Sequence, residues 1–372
     1  MLKKVAIIHF QPLEKYPPVM NFINTIDEMD FVKSEVFTTF IKNGIWFSKI
    51  NTSIHRFSKQ NTTSLGRYWG YLKFNFLSFL QLVLYRPSTI FVFETYSIFP
   101  AYLYKIVAPK TKVHIHYHEY TSPQEIKNSS LYFKGLHALE KKIFRTCNYI
   151  SHTNEDRIEL FLTDYSFVKE SKMIVAPNIP PSNWYEFSQK NKKENTSGIT
   201  RLVHVGALSL ETMHVEKIVE WVIAQKGLFT LAFYTDNITD DARKFIVGLQ
   251  NNHIQFHDSI NYFELPKVLI HYDVGLTLYN GHIPNYVFNV PNKVLEYLAC
   301  GLGVWYPNEL ISTQKFIKKY RINGCRSINF QTKETINLKI IKDLKIYNTN
   351  ENLVTLINAP NELLKIISLH LS

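Results

Sequence analysis

Residues Asn289–Tyr306, NVPNKVLEYLACGLGVWY, read as a short helix followed at once by a buried strand. Pro291 suits a helix start: its ring fixes φ near the helical value, and its missing N–H would be unpaired in the first turn anyway. Gly301 suits the stop, because a glycine just past the last turn takes the left-handed cap without steric cost. Leu302–Tyr306 then supplies the apolar run of a strand. The same step recurs along the chain. Apolar, β-branched or aromatic runs fall at Val5–Phe10, Glu35–Phe40, Thr89–Phe93, Lys112–Tyr117, Tyr149–His152 and Met173–Ala176. They resume at Arg201–Val205, Phe229–Tyr234, His253–Phe256, Val274–Leu278 and Leu302–Tyr306, with helical stretches between. Strands alternating with helices imply parallel sheets covered on both faces. The expected fold is α/β, two Rossmann-like doubly wound domains in series, facing across a cleft. Residues 1–180 would form the first domain and 199–355 the second. Residues 181–198, rich in Pro, Asn, Ser and Lys, would link them. An apolar helix over 356–372 would dock back on the first domain.

Within the opening helix, Lys293 and Glu296 stand three apart and so share a face. A helix N-terminus favours an anion, and a lysine in the first turn opposes the helix dipole unless an anion offsets it. Glu296, one turn deeper, can accept hydrogen bonds from a ribose diol. Phosphate at the tip and sugar one turn down is the layout of a nucleotide cradle. The competing reading is an ordinary surface pair. Lys ahead of Glu is the poorer order for such a pair, worth at most about 0.5 kcal/mol when exposed, and Leu295, Tyr297 and Leu298 flank Glu296. Spacing alone leaves both readings open.

The 372 residues suffice for two domains, and 45% hydrophobic with 20% charged residues is a soluble globular composition. Cys147, Cys300 and Cys325 give neither a disulfide framework nor zinc-type spacing, which fits a reducing cytosol. The start, MLKKVAIIHF, reads as a first strand rather than a signal peptide. The net charge of +11 gathers in residues 1–180, which hold 22 basic and 14 acidic side chains. Between Val36 and Phe93 lie Lys42, Lys49, Arg56, Lys59, Arg67, Lys73 and Arg86 and no acidic residue. Trp46, Tyr68, Trp69 and Tyr71 are interleaved. Such a segment suits an anionic membrane surface or an acidic acceptor; no nucleic-acid motif accompanies it. Tyr68–Tyr85 (YWGYLKFNFLSFLQLVLY) is near the lower length limit for a spanning helix. With Asn75, Ser78 and Gln81 on one side and Lys73 on the other, a helix buried within the domain is expected, membrane contact being the next reading.

Taken together these motifs resemble the GT-B, nucleotide-sugar-dependent glycosyltransferases often called family 4. The resemblance is to the variant S-x-P-x-K-x-x-E-Y-x-A-x-G-x-P-V, carried here by Asn289, Pro291, Lys293, Glu296, Tyr297, Ala299, Gly301 and Val304, with Asn285–Phe288 as the lead-in. Val205–Leu208 (VGAL), Leu139–Ile143 (LEKKI), His152–Arg157, Ala176–Asn178 and the His118–Glu119 pair add matches in the family's order. The first strand is followed by Gln11-Pro12 and Tyr16-Pro17-Pro18 where the family usually has paired glycines, and three further positions depart from it. Phe288 stands where paired-glutamate members have their first Glu, Ala207 where many have Arg, and Gly303 where proline is usual.

The resemblance implies a second domain that holds the donor. Glu296 would bind the ribose, and Lys293 with the Pro291, Asn292 and Lys293 backbone would hold the diphosphate. Asn285 would belong to the donor site, and the Gly206 turn would approach the phosphates closely. With Arg absent at Ala207, His214 and Lys217 are the substitute phosphate contacts. His118 would touch the donor sugar and Glu119 orient or deprotonate an acceptor hydroxyl; both can equally be anchors of the following loop. His114, His116 and His118 share a strand face, but no further ligand joins them and the family needs no metal there. The implied activity is retaining transfer from a nucleotide diphosphate sugar, the donor substrate and no cofactor, to a glycan or lipid-linked acceptor in surface polysaccharide synthesis. The implied location is cytoplasmic, peripheral at the inner membrane surface, with no nucleic-acid partner. A nucleotide-sugar epimerase of the same fold and a non-catalytic homologue are the alternatives.

Overall fold

The computed structural model describes residues 2–40, 47–59, 63–330 and 351–358. The chain divides into two compact units that meet in sequence at Pro177 and Asn178. Most of the expected helix 356–372 lies outside the described residues; its start belongs to a helix over Glu351–Asn358.

The first unit is built on a sheet of seven parallel strands: β1 (Lys3–His9), β2 (Val32–Phe40), β3 (Thr52–Lys59), β4 (Thr89–Phe93), β5 (Lys112–Tyr117), β6 (Tyr149–His152) and β7 (Met173–Val175). Their order is β3-β2-β1-β4-β5-β6-β7. Val5 of β1 stands opposite Ser34 of β2 on one side and Thr89 of β4 on the other. Here the strand order reverses, and in such sheets ligands gather beyond the carboxyl ends of the strands at the reversal. Helix α1 (Pro17–Asp27) sets Phe22 against Phe91, ring centres 4.9 Å apart. Helices α2 (Ser64–Tyr85), α3 (Ile98–Val107), α4 (Pro123–Asn128), α5 (Leu131–Thr146) and α6 (Glu155–Asp164) complete the unit. Phe74 and Leu82 of α2, Ala101 of α3 and Phe144 of α5 share one core with Ala6, Ile8, Val92 and Ile115 of the strands.

Helix α2, expected to be buried within the domain, is buried on one face only. Its inner face carries Tyr71, Phe74, Asn75, Ser78, Leu82 and Tyr85, all buried. Three of the polar side chains donate inside: Asn75 Nδ2 to the Tyr71 carbonyl at 2.7 Å, Gln81 Nε2 to Glu35 at 3.0 Å, and the Tyr85 hydroxyl to the Lys33 carbonyl at 2.7 Å. The side read as polar therefore faces the protein, and apolar side chains are left facing out.

The second unit has six parallel strands: β8 (Thr200–Val205), β9 (Phe229–Tyr234), β10 (Ile254–His257), β11 (Val274–Leu276), β12 (Gly303–Pro307) and β13 (Cys325–Ile328), in the order β10-β9-β8-β11-β12-β13. Its helices are α7 (Ser182–Asn191), α8 (Val215–Ala224), α9 (Asp240–Gly248), α10 (Leu265–Leu269), α11 (Pro284–Val287), α12 (Asn292–Ala299), α13 (Ile311–Lys319) and α14 (Glu351–Asn358). Leu202, Val219, Phe229, Leu276 and Trp305 lie in its core. The reversal here falls between β8 and β11. Residues 181–198, read as a linker, contain α7, whose Trp184 is buried.

Candidate active site

In the second unit, α12 begins one residue later than expected. Pro291 is its cap, with φ −60° and ψ 138°, and Asn292 is the first helical residue. The C-terminal end matches the sequence reading. Gly301 has φ +71°, its N–H donates to the Leu298 carbonyl at 2.9 Å, and the Leu302 N–H reaches Tyr297 at 2.9 Å, which together form a Schellman motif.

Tyr297 fixes where this helix lies. Its ring occupies the space over Gly275 of β11, where a Cβ would stand 2.1 Å from a ring carbon. Its hydroxyl accepts from the Val205 N–H at 3.0 Å, tying α12 to the last residue of β8. Lys293, one turn earlier on the same face, is thereby laid against the next residue, Gly206. A Cβ on Gly206 would lie 3.0 Å from Lys293 Cε and 3.2 Å from Nζ, and φ there is +105°, a conformation that favours glycine. Below the turn, His204 is buried with its ring nitrogens 2.9 Å from the Leu276 carbonyl oxygen and 3.2 Å from that of Ala207. Burial, then the Lys293 charge, push its pKa to about 3, so the ring is neutral.

The Lys293 ammonium also lies 5.4 Å from the centre of the Tyr279 ring, on the loop after β11. It is thus a cation between the loops that follow β8 and β11, where the strand order reverses. Among the described residues no ion pair joins it to Glu296, which removes the surface-pair reading. Glu296 is half-buried and accepts a hydrogen bond from Tyr262, whose ring packs on Trp184 at 4.8 Å. Burial pushes its pKa up to about 7, against the opposing pull of Lys293 and Tyr262. A carboxyl so placed changes charge near neutrality.

The other expected donor residues fall around this pair in different ways. Asn292 Oδ1 accepts from Asn178 Nδ2 at 2.7 Å, and Asn285 is buried in α11. His214 caps α8, stacks on Phe330 at 4.9 Å and has Nε2 3.4 Å from Glu309 Oε1. Burial lowers its pKa, against Glu309. Lys217 is near enough to act electrostatically on His214. Neither contact involves Lys293 or Gly206.

In the first unit, His118 and Glu119 follow β5, beside the β1–β4 reversal. His118 is held on three sides. Its N–H donates to Glu94 Oε1 at 2.7 Å, its Nδ1 lies 3.0 Å from the same oxygen, and its carbonyl accepts from the Arg157 guanidinium. Its ring also stacks on Phe93 at 5.7 Å. Glu94 has φ 68° and ψ 159°, and its own N–H donates to the His116 carbonyl at 3.0 Å. A non-glycine residue holds such a backbone only where its surroundings over-determine it. His9, buried at the end of β1, has its pKa pushed to about 3 by burial and by His118. Glu119 is exposed as a residue, yet desolvation of its carboxyl and the Glu94 charge raise its pKa.

The histidine row on β5 is divided. His114 Nε2 and His116 Nδ1 both meet Ser151 Oγ, at 2.9 and 2.7 Å, whereas His118 turns to Glu94. Among the described residues no group of three or more His, Cys, Asp or Glu could hold a metal. Glu94 was not singled out by the sequence reading, and Arg157 entered it only within the His152–Arg157 match, with no role assigned. Glu94 had one available signal, a lone carboxylate directly after the all-apolar strand TIFVF, at the end of the sheet where function collects.

No protein-family model and no curated protein matches the chain. Solved structures do. The chain is similar to sucrose-phosphate synthase from Thermosynechococcus elongatus, at 13% identity over 99% of this chain and 98% of that one, with a TM-score of 0.69. It is similar to Anabaena HepE in complex with UDP-glucose at 12% identity over 98% and 96%, TM-score 0.64. An α,α-trehalose-phosphate synthase (UDP-forming) from Burkholderia xenovorans in complex with glucose-6-phosphate follows at 11% identity over 97% and 93%, TM-score 0.61. The fold is that of the GT-B glycosyltransferases. At these identities the likeness is one of fold, and the chemistry rests on the residues described above.

Proposed function

We propose that this chain is a family-4-like glycosyltransferase that moves a sugar, with retention, from a nucleoside diphosphate sugar to a glycan or lipid-linked acceptor in surface polysaccharide synthesis, at the cytoplasmic face of a membrane. The observation that carries the reading is the Lys293 ammonium laid against Gly206 at the β8–β11 reversal, with Glu296 one turn deeper. A diphosphate at that turn meets a cation and a backbone without Cβ, and the ribose meets a carboxylate. As the sugar leaves, negative charge grows on the diphosphate, and a fixed ammonium stabilises it. Similar structures hold UDP or UDP-glucose, which makes UDP-sugars the first donors to test. In the first unit, a proton on His118 Nδ1 faces Glu94 and leaves the Nε2 lone pair for a substrate hydroxyl. Glu119 is the second carboxylate available to an acceptor.

A donor screen by thermal shift followed by product analysis tests the reading. A donor at a hundredfold its Kd stabilises by about 2.7 kcal/mol. No shift with any nucleotide sugar would point to a non-catalytic homologue, and an isomerised sugar formed without acceptor to an epimerase. By calorimetry, Glu296→Ala should weaken binding of the best donor, and unchanged affinity would sink the assignment. The pH dependence has a definite sign. Ribose recognition needs the carboxylate, so raising pH through about 7 should strengthen binding of a UDP-sugar. From pH 6 to pH 8 the ionised fraction rises by up to about tenfold, a gain that Glu296→Gln should abolish.

Glu94→Gln tests the His118 arrangement. It keeps the size of the side chain and removes the charge that holds His118. The rate should fall roughly 10- to 100-fold. A rate like that of the parent would show that Glu94 only anchors the loop.

A further inference from the structure

The outward face of α2 carries Leu65, Trp69, Leu72, Phe76, Leu80 and Val83, between 36% and 69% exposed. Spacings of four, three, four, four and three place them in one stripe along the helix, roughly 27 Å long at 1.5 Å per residue. Lys73 and Arg86, both exposed, flank it on opposite sides, and Tyr68 lies at its N-terminal end, 48% exposed. The aromatic surface continues onto α5, where Tyr132 meets Tyr68 edge-on at 6.0 Å beside Leu131, 85% exposed. Soluble surfaces rarely leave so long an apolar stripe uncovered. Among the described residues nothing covers it, because the polar residues of the helix are turned inward.

We propose that this face docks on an anionic lipid bilayer, with α2 lying flat in the headgroup region. An apolar stripe bordered by cations and aromatic rings is the composition of an interfacial helix. A second copy of the chain is the poorer occupant. From Val36 to Phe93 there is no acidic residue, so two such faces would bring their lysines and arginines together without countercharge. Anionic headgroups supply it. No described helix is long and apolar enough to cross a membrane, which leaves lying on the surface as the mode of contact. The proposal deepens the membrane part of the functional reading and rests on it, but it is independent of the donor chemistry.

The test is co-sedimentation of the full chain with phosphatidylcholine vesicles, with and without phosphatidylglycerol. Binding is expected to the anionic vesicles, to weaken with salt, and to bring a blue shift in tryptophan emission that Trp69→Phe removes. Leu72→Glu with Phe76→Glu, at exposed positions, should reduce binding at least about tenfold, and Lys73→Glu with Arg86→Glu should do so most strongly at low salt. Phe76→Ser, checked by circular dichroism, guards against misfolding of the double variants. Absence of binding to anionic vesicles, or equal binding by the Leu72→Glu, Phe76→Glu variant, would overturn the proposal. So would self-association in sedimentation velocity that these substitutions abolish while vesicles stay unbound. UDP-sugar affinity in solution should be the same in all these variants, so failure of the donor reading and failure of this one are read separately.

Discussion

Lys293→Ala should lower the rate of sugar transfer by roughly 10²- to 10³-fold while leaving the protein folded, the effect typical of removing one fixed charge from a developing anion. Its side chain is half-buried and, among the described residues, makes no ion pair whose partner would be stranded. The Tyr297 hydroxyl still ties α12 to Val205 at 3.0 Å, so the helix keeps its position. What disappears is the ammonium beside Gly206. Because charge on the diphosphate is greater in the transition state than in the bound donor, kcat should fall by more than donor affinity. Lys293→Arg should not restore the rate fully. Its planar fork is wider than an ammonium, and the Gly206 backbone already approaches Lys293 closely. Steady-state kinetics with the best donor from the screen decide the matter, and a Lys293→Ala enzyme with parental kcat would move the diphosphate elsewhere.

Gly275→Ala should strongly destabilise the second unit. The added Cβ would stand 2.1, 2.2 and 2.7 Å from three atoms of the Tyr297 ring. Both residues are held in a packed interior, with Tyr297 almost wholly buried and β11 between β8 and β12. Relief requires the ring to shift, which breaks its bond to the Val205 N–H and leaves that donor without its partner. Overpacking costs about 1–3 kcal/mol and an orphaned buried donor about 1–3 kcal/mol more. A loss of roughly 3–5 kcal/mol by chemical denaturation is expected, a large share of the stability of an ordinary domain. Tyr297→Phe, which removes only the hydroxyl, should lose less, roughly 1–2 kcal/mol. Gly275→Ala combined with Tyr297→Leu should recover part of the loss. If Gly275→Ala changed stability by no more than a typical surface substitution, the packing account of how Lys293 is placed would be wrong.

The parallel architecture was legible because buried strands advertise themselves. Thr89–Phe93, Lys112–Tyr117 and Tyr149–His152 are found at the bounds read from the sequence, since a strand covered on both faces is a nearly unbroken apolar run. Two strands escaped notice, Thr52–Lys59 (TSIHRFSK) and Cys325–Ile328 (CRSI). Each is at the edge of its sheet, where solvent tolerates polar side chains and the apolar signal fades. The spacing of Lys293 and Glu296 was legible because a helix period is local. The contacts that position them were not. Tyr297 reaches Val205 across 92 residues of chain and lies on Gly275 of another strand; His118 meets Glu94 across 24 residues. The orientation of α2 defeated the usual rule that polar residues face water, because Asn75, Gln81 and Tyr85 find hydrogen-bond partners inside.

That inverted helix bears on how an acceptor would be met. Resting along its length on a bilayer, the protein would give up tumbling in three dimensions for drift in two. A lipid-linked acceptor in the same leaflet would then be encountered laterally, at an effective concentration set by membrane area rather than cell volume. Turnover with such an acceptor would follow its density in the sheet of lipid, and a water-soluble acceptor of identical chemistry would be the slower substrate.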